Sequence, residues 1–333
     1  MSMYYVFVTK TRSINISKYY LKLVKNLYRM ETTLSPVRVS SHAGSWYSAD
    51  KTQLSSQLDT WLESCENSVS STYTIRAVIV PHAGYRHSGF CAAHAYRQIN
   101  PEKIKRVFIL GPSHHLDIGD TCALTCVSEY ETPFYNLKVD SDVYNSLKKL
   151  NYFHILSKSQ DEAEHSVEMQ LPYIAHIMKR RRDQYSIVPI VVGCLSFEKQ
   201  EFFGNLLSSY LLDEKNLFVI SSDFCHWGKR FRYQYYDKAD GEIWQSIEKL
   251  DYMGLDAIQS LEPKLFIKYL NEYRNTICGR RCIGVLLFMV DSIRQKKSLN
   301  LELKILHYTQ SNHCQSMEDS SVSYAACALV YRD

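Results

Sequence analysis

Short aliphatic and β-branched runs, each stopped by proline, glycine or a polar cluster, alternate through the middle of the chain with stretches of helical periodicity. The run at 75–80 halts at Pro81, which cannot donate to a sheet ladder, so the strand ends there and His82 stands on the loop beyond it. Ala83, Gly84 and Gly89 then give a tight path into a predicted helix over 90–99. A second strand at 106–110 ends in Gly111-Pro112-Ser113-His114-His115, a third covers 186–192, and a fourth at 217–220 runs into S-S-D-F-C-H-W. Leu54, Leu58, Trp61 and Leu62 mark a helix over 54–62, and further helices are predicted over 197–211 and 283–293. A long helix is expected over 162–181, kinked at Pro172. Segments 121–127 and 135–139 read as a β-hairpin, with Asp140 capping the helix after it. Two terminal strands, 301–309 and 321–331, complete the pattern. Strands alternating with helices imply an α/β protein: a single domain whose central mixed, largely parallel sheet is flanked by helices on both faces.

Residues 1–36 stand apart as a basic, poorly ordered extension, with the α/β domain at 37–333. Residues 1–29 carry six Lys/Arg and no acid, around the apolar stripe Ile16, Tyr20, Leu23, Val24 and Leu27. Such a leader resembles a mitochondrial transit peptide, against the plainer reading of an optional extension with Met30 as a second start. Without it the body holds 33 basic and 35 acidic residues, so the formal charge of +4 signals no nucleic-acid footprint. Neither a secretory leader nor an apolar run long enough to span a bilayer is evident. The ten scattered cysteines suit reduced thiols in the cytoplasm or nucleus. Cys122 and Cys126, four apart in one predicted strand, should face the same side.

Three strand ends deliver His82, His114 and the pair Asp223/His226 towards one sheet edge, where chemistry gathers in α/β folds. Cys278 precedes a helix, a position that favours a thiolate. Imidazole and thiolate together suit zinc, copper or iron, while plain loop or supporting histidines are the alternative. Asp223 and His226 read either as an orienter and base or as further ligands, and His226 suits general acid–base work. His165 and Glu168, three apart, suit a supporting role behind ligands. Trp46, Tyr85 and the aromatic run 231–236 are candidates for a groove wall or for core. The basic run 179–182 reads as a solvated helix end.

The blocks S-H-A-G-S-W-Y (41–47), P-H-A-G-Y (81–85), L-G-P-S-H-H (110–115), D-E-x-E-H-S-x-E-M (161–169), S-S-D-F-C-H-W-G (221–228), R-F-R-Y-x-Y-Y-D (230–237) and N-T-I-C-G-R (275–280) resemble, in this order, the Memo family. Those proteins mediate receptor-tyrosine-kinase-driven cell motility and look like extradiol ring-cleaving, non-haem iron dioxygenases. The resemblance implies metal ligands at His82, His114 and Cys278 for one iron or copper ion, with His226 beside them in the place of the dioxygenases' catalytic histidine. It further implies redox chemistry, a metal-dependent oxidoreductase activity being compatible with the set. The same cleft is expected to take phosphotyrosine peptides of receptor tails at Trp46, His82, His114, His226 and Cys278, on a route to cytoskeletal signalling proteins. Arg86-His87 stands where the family motif suggests a second tyrosine, which places His87 at the mouth. Three functions follow: a metal-dependent redox protein, a non-enzymatic phosphopeptide adaptor, and a true ring-cleaving dioxygenase. Cys278, where ring-cleaving enzymes present a glutamate, argues against the last.

Overall fold

The structure, a computed structural model, describes residues 35–69, 72–297 and 299–332. The leader read at 1–29 lies outside them, and the described chain opens with β1 at Ser35–Arg38, two residues before the expected domain boundary. Four strands form the parallel centre: β2 (Tyr73–Val80), β3 (Arg106–Pro112), β8 (Ser186–Val192) and β9 (Asn216–Ser221), in spatial order β2-β9-β3-β8. Their apolar runs are continuous because both faces are buried: Ala77, Ile79, Phe108, Leu110, Val188 and Ile190 enter one core layer, and Val78, Val80, Val107, Ile109 and Ile187 the other. Beyond β8 the sheet continues through β4 (Cys122–Thr125), antiparallel to it, and β7 (Phe153–Leu156). Beyond β2 lies β12 (Ser321–Arg332), antiparallel, which also pairs with β11 (Leu301–Gln310) and with the short β10 (His226–Trp227). The expected mixed, largely parallel sheet is the one observed.

Helices cover both faces. On one side α1 (Lys51–Ser64), α2 (Tyr85–Tyr96) and α5 (Leu171–Ile177) bury Leu54, Leu58, Cys91, Tyr96 and Tyr173. On the other, α3 (Ser141–Lys149), α6 (Phe197–Leu212), α7 (Ile243–Gln259), α8 (Pro263–Tyr273) and α9 (Arg280–Lys296) bury Leu147, Phe203, Ile247, Phe266 and Leu286. Helix α2 starts five residues before the predicted 90. Gly89 therefore lies inside it, and a Cβ there would come within 2.3 Å of the Trp61 ring, so its glycine serves close packing of α1 on α2 rather than a loop.

Two expectations fail for local reasons. The predicted hairpin divides at Cys126: β4 belongs to the main sheet, whereas β5 (Val127–Tyr130) pairs with β1 and with β6 (Leu137–Lys138) in a separate small sheet. The Thr125 hydroxyl accepts the Val127 N–H (3.2 Å) and donates to Asp161 (2.5 Å), which bends the chain out of the ladder. Cys122 is buried in β4 while Cys126 is half-buried at the bend, so they do not share one strand face. The long helix over 162–181 is also broken. Helix α4 (Lys158–Ala163), capped by a Ser157/Gln160 box, stops where Glu164 turns extended. Short 3-10 turns at Glu168–Gln170 and Lys179–Arg181 flank α5. Pro172 sits in the first turn of α5, where its missing N–H costs nothing, and starts a helix instead of kinking one. Asp140 caps α3 as predicted, accepting the Val143 N–H at 2.9 Å.

Candidate metal centre

Because β2, β3 and β9 are parallel, their carboxyl ends open on one edge, and the residues after them meet there. Ligand atoms of His82, His114 and Cys278 lie within 4.8 Å of one another. Overlapping sets, Asp223/His226/Cys278 and His114/Glu164/His165, meet the same limit. All five residues expected at the centre are thus brought together.

Hydrogen bonding fixes the tautomer of each imidazole. The Ser221 hydroxyl donates to the Ser166 carbonyl (2.7 Å) and accepts from Gln170 Nε2 (2.9 Å), so towards His82 Nδ1 (2.8 Å) it can only accept. His82 therefore carries its proton on Nδ1 and offers the Nε2 lone pair, which faces Cys278 Sγ at 3.2 Å. His114 Nδ1 donates to Glu164 Oε1 at 3.0 Å, while the other Glu164 oxygen accepts the His114 N–H at 2.6 Å. His226 Nδ1 meets the Phe224 carbonyl at 2.9 Å, and a carbonyl only accepts. Three histidines thus present Nε2, each held from behind through Nδ1.

Electrostatics follow burial. Loss of water pushes the pKa of His82 well below the ordinary imidazole value, and the positive potential of His114 adds to this. Burial raises the Cys278 thiol well above its usual value, and the Asp223 carboxylate raises it further. That corrects the thiolate expected from the helix start: desolvation outweighs the peptide dipoles of α9. The neutral thiol is a donor to His82 Nε2, while the Asp223 N–H approaches Sγ at 3.2 Å. For Glu164, burial is unfavourable to the charge, but the hydrogen bond and charge of His114 outweigh it and hold the carboxylate well below its usual range. Asp223 is raised by burial, and its Oδ1 accepts the N–H groups of His82 (2.7 Å) and Ala83 (3.3 Å), so it braces the β2 loop as well as facing His226.

Around this centre a ring stack extends outwards. His165 packs on His114 (4.5 Å between centroids) and lies 4.6 Å from Trp46, whose ring is 37 % exposed. Burial lowers the His165 pKa to about 3, and its Nδ1 is buried without a hydrogen-bond partner, 3.5 Å from Glu164 being too poorly aligned for one. Glu168 bonds away from the three candidate residues. It accepts from the Arg38 guanidinium (2.6 Å), the His42 N–H (2.8 Å), His42 Nδ1 (2.8 Å) and the Tyr47 hydroxyl (2.8 Å), and so ties down the 41–47 loop that carries Trp46. Glu164, Ser221 and Gln170 were not singled out by sequence reasoning. Glu164 lay inside a quoted block, one residue before His165, with nothing in its spacing to show which histidine it serves.

Trp46 and His87 line an open groove of about 1070 Å³, with Ala83 and Gly84 following His82 and Arg230 beyond His226. Its cations are Arg86 and Arg230, and Arg86 Nε donates to His87 Nε2 at 2.8 Å, so that imidazole nitrogen accepts there. Its one carboxylate, Asp50, is engaged as the cap of α1, accepting the Gln53 N–H at 2.7 Å. The expected peptide residues therefore divide, with Trp46 and His87 on the groove and His82, His114, His226 and Cys278 at the centre behind it. Within the aromatic run, Phe231 stands against His226 (5.2 Å), while Tyr233 and Tyr235 pack on the core and bond elsewhere. The basic run binds locally: Arg181 donates to the Pro101 carbonyl and Lys179 approaches Asp59.

Among the described residues no helix is long and apolar enough to cross a membrane. Residues 38–328 match the family model described as Memo-like protein. The chain is 54% identical over 296 residues to Protein MEMO1 of Xenopus laevis, covering 89% of this chain and 98% of that protein. It is 51% identical to Protein MEMO1 of Homo sapiens, covering 88% and 97%, and 44% identical to the memo-1 homolog of Caenorhabditis elegans, covering 88% and 82%. A solved structure, of an uncharacterized protein from Escherichia coli K12, matches 74% of this chain and 98% of its own at 11% identity with a TM-score of 0.45. With a family model spanning most of its length and relatives more than half identical, the chain belongs to the Memo-like family.

Proposed function

We propose that this protein binds one iron or copper ion through His82, His114 and Cys278 and acts through it as a redox-signalling protein in receptor-driven cell motility and metal homeostasis. The observation that carries the reading is the convergence of the three donor atoms, with both imidazoles locked to offer Nε2. The donor set fits the ion: two neutral imidazoles and one sulfur, the proton between Sγ and His82 Nε2 being the one a cation would replace. A bound ion would supply Lewis acidity and one-electron chemistry. The chain's own residues do the rest. Ser221 and Glu164 orient the rings, the Asp223 N–H supports the sulfur, and His226 holds or moves a proton at Nε2. The thiol where ring-cleaving enzymes present a carboxylate disfavours extradiol cleavage.

Metal analysis of anaerobically purified protein tests this. Wild type should hold about one iron or copper per chain, and Cys278→Ser and His82→Ala should lose it. Metal-free wild type whose melting curve ignores added iron(II) and copper(I) would overturn the reading. A second reading, a phosphotyrosine-peptide adaptor acting towards cytoskeletal signalling proteins, is favoured by one observation: the groove beside Trp46 carries Arg86 and Arg230 against a single, already engaged carboxylate among its described lining residues. Fluorescence anisotropy with phosphorylated and unphosphorylated receptor-tail peptides decides it, equal binding counting against it.

A further inference from the structure

A second polar cavity, distinct from the groove beside Trp46, lies between α6, α8 and the start of α9. It has a volume of about 490 Å³, within the range of small-molecule sites. Leu195, Phe197, Ile267 and Leu270 give it apolar walls, and three arginines enter it: Arg274 from the end of α8, Arg280 and Arg281 from the first turn of α9. Among the described residues no acidic side chain lines it. Cations at a helix N-terminus sit at the wrong end of the macrodipole, so this cluster runs against the field of its own helix. The geometry gives Arg280 only local help, one Nη1 bond to the Ile277 carbonyl at 2.8 Å, and Arg274 Nε likewise meets the Asn271 carbonyl at 3.1 Å.

One further group points to an occupant. Asn275 is 3 % exposed and lines the same cleft. Its Nδ2 donates to Asp251 Oδ1 (2.9 Å) and to the Tyr269 hydroxyl (2.7 Å), and since that hydroxyl donates its own proton to the Leu250 carbonyl (2.8 Å), the amide cannot be turned over. Its Oδ1 is consequently fixed, buried and without a partner. A buried acceptor left bare is costly, and Asn275 shares the lining of this cleft with the three arginines. The occupant must then bring negative charge for the arginines, one hydrogen-bond donor for Asn275 Oδ1, and an apolar body for the walls.

We propose that this cleft binds a small organic phosphate monoester with an apolar body. The phosphoryl oxygens meet the arginine forks, and the proton that the monoanion holds below its second pKa of about 6 donates to Asn275 Oδ1. At about pH 5.5 a carboxylate or a sulfate ester lacks that proton, whereas most of the phosphate monoester keeps it. The site needs no metal, so its test stands apart from that of the candidate metal centre.

Calorimetric titration of the full chain at about pH 5.5 with 1-naphthyl phosphate tests it, with 1-naphthyl sulfate, 1-naphthol and a tyrosine-phosphorylated peptide as comparisons. Saturable one-to-one binding of the phosphate is expected, at least tenfold weaker for the sulfate and absent for naphthol. The double variant Arg274→Gln/Arg281→Gln, at one exposed and one half-buried arginine and with a melting curve that reports its fold, should weaken the phosphate at least tenfold. Arg86→Gln in the groove beside Trp46 should leave it unchanged. No saturable heat with wild type, equal binding by the folded double variant, loss of binding in Arg86→Gln, or binding of the phosphopeptide alone would each overturn the assignment.

Discussion

Glu164→Gln is the substitution that asks most of the candidate centre, because it keeps the shape of the side chain and changes only what its two oxygens can do. Oε2 accepts the His114 N–H (2.6 Å), and Oε1 accepts both His114 Nδ1 (3.0 Å) and the Ser166 N–H (2.9 Å). Glutamine replaces one of these acceptors by an NH2. Placed at Oε2, the NH2 confronts a backbone N–H that cannot turn away. Placed at Oε1, it confronts the Ser166 N–H and forces His114 to accept through Nδ1, which puts the proton on Nε2 and removes it as a ligand. Either way one charge-assisted hydrogen bond is lost and a donor is left facing a donor, at a cost of about 1.5–3 kcal/mol. Loss of a partner behind a metal-bound histidine typically weakens metal binding about 10–100-fold. Competition against a chelator under anaerobic conditions, with iron(II) and copper(I), should show that loss. Glu162→Gln should show none, since Glu162 accepts the Val39 N–H and touches no histidine. A Glu164→Gln protein that melts as a folded chain and binds metal within threefold of wild type would refute the tautomer argument.

Further outcomes follow from the same geometry. Arg38→Met leaves Glu168 and Asp161 buried without their cation (2.6 and 3.2 Å), and should cost on the order of 3–5 kcal/mol in urea unfolding; a loss below about 1 kcal/mol would contradict it. Asp251 is pushed up to about 6 by burial, so its protonated form is the one the fold prefers. The stability this adds is complete below the unfolded carboxyl value near 4 and is lost as pH rises through about 6, on the order of 3 kcal/mol for the shift. Asp251→Asn should therefore gain on wild type between pH 4 and pH 8, and unfolding free energies whose difference stays flat over that range would refute the assignment. At Gly279 a Cβ would stand 2.4 Å from the Ser221 carbonyl oxygen and 2.4 Å from Ser222 Cβ. Gly279→Ala should thus destabilise by about 1–3 kcal/mol, read in urea unfolding, and lower metal content by displacing Cys278; unchanged values of both would count against it.

What this sequence determined alone was the frame of the site. Apolar runs stopped by proline or glycine placed His82, His114 and Asp223/His226 past strand ends, because a buried parallel strand must be apolar on both faces and its chemistry can begin only where the ladder stops. The tertiary structure decided the rest. Separation along the chain carries no distance, so only the sheet order could bring Cys278 to His82 across 196 positions. Helical periodicity over 162–181 was real, yet Glu164 leaves the helix to hold His114, and a hydrogen bond to a loop 50 residues away writes nothing into a local pattern. The charge of Cys278 was likewise beyond the sequence. A helix start argues for a thiolate, but desolvation beside Asp223 reverses that, because it comes from the folded surroundings and not from neighbours in the chain.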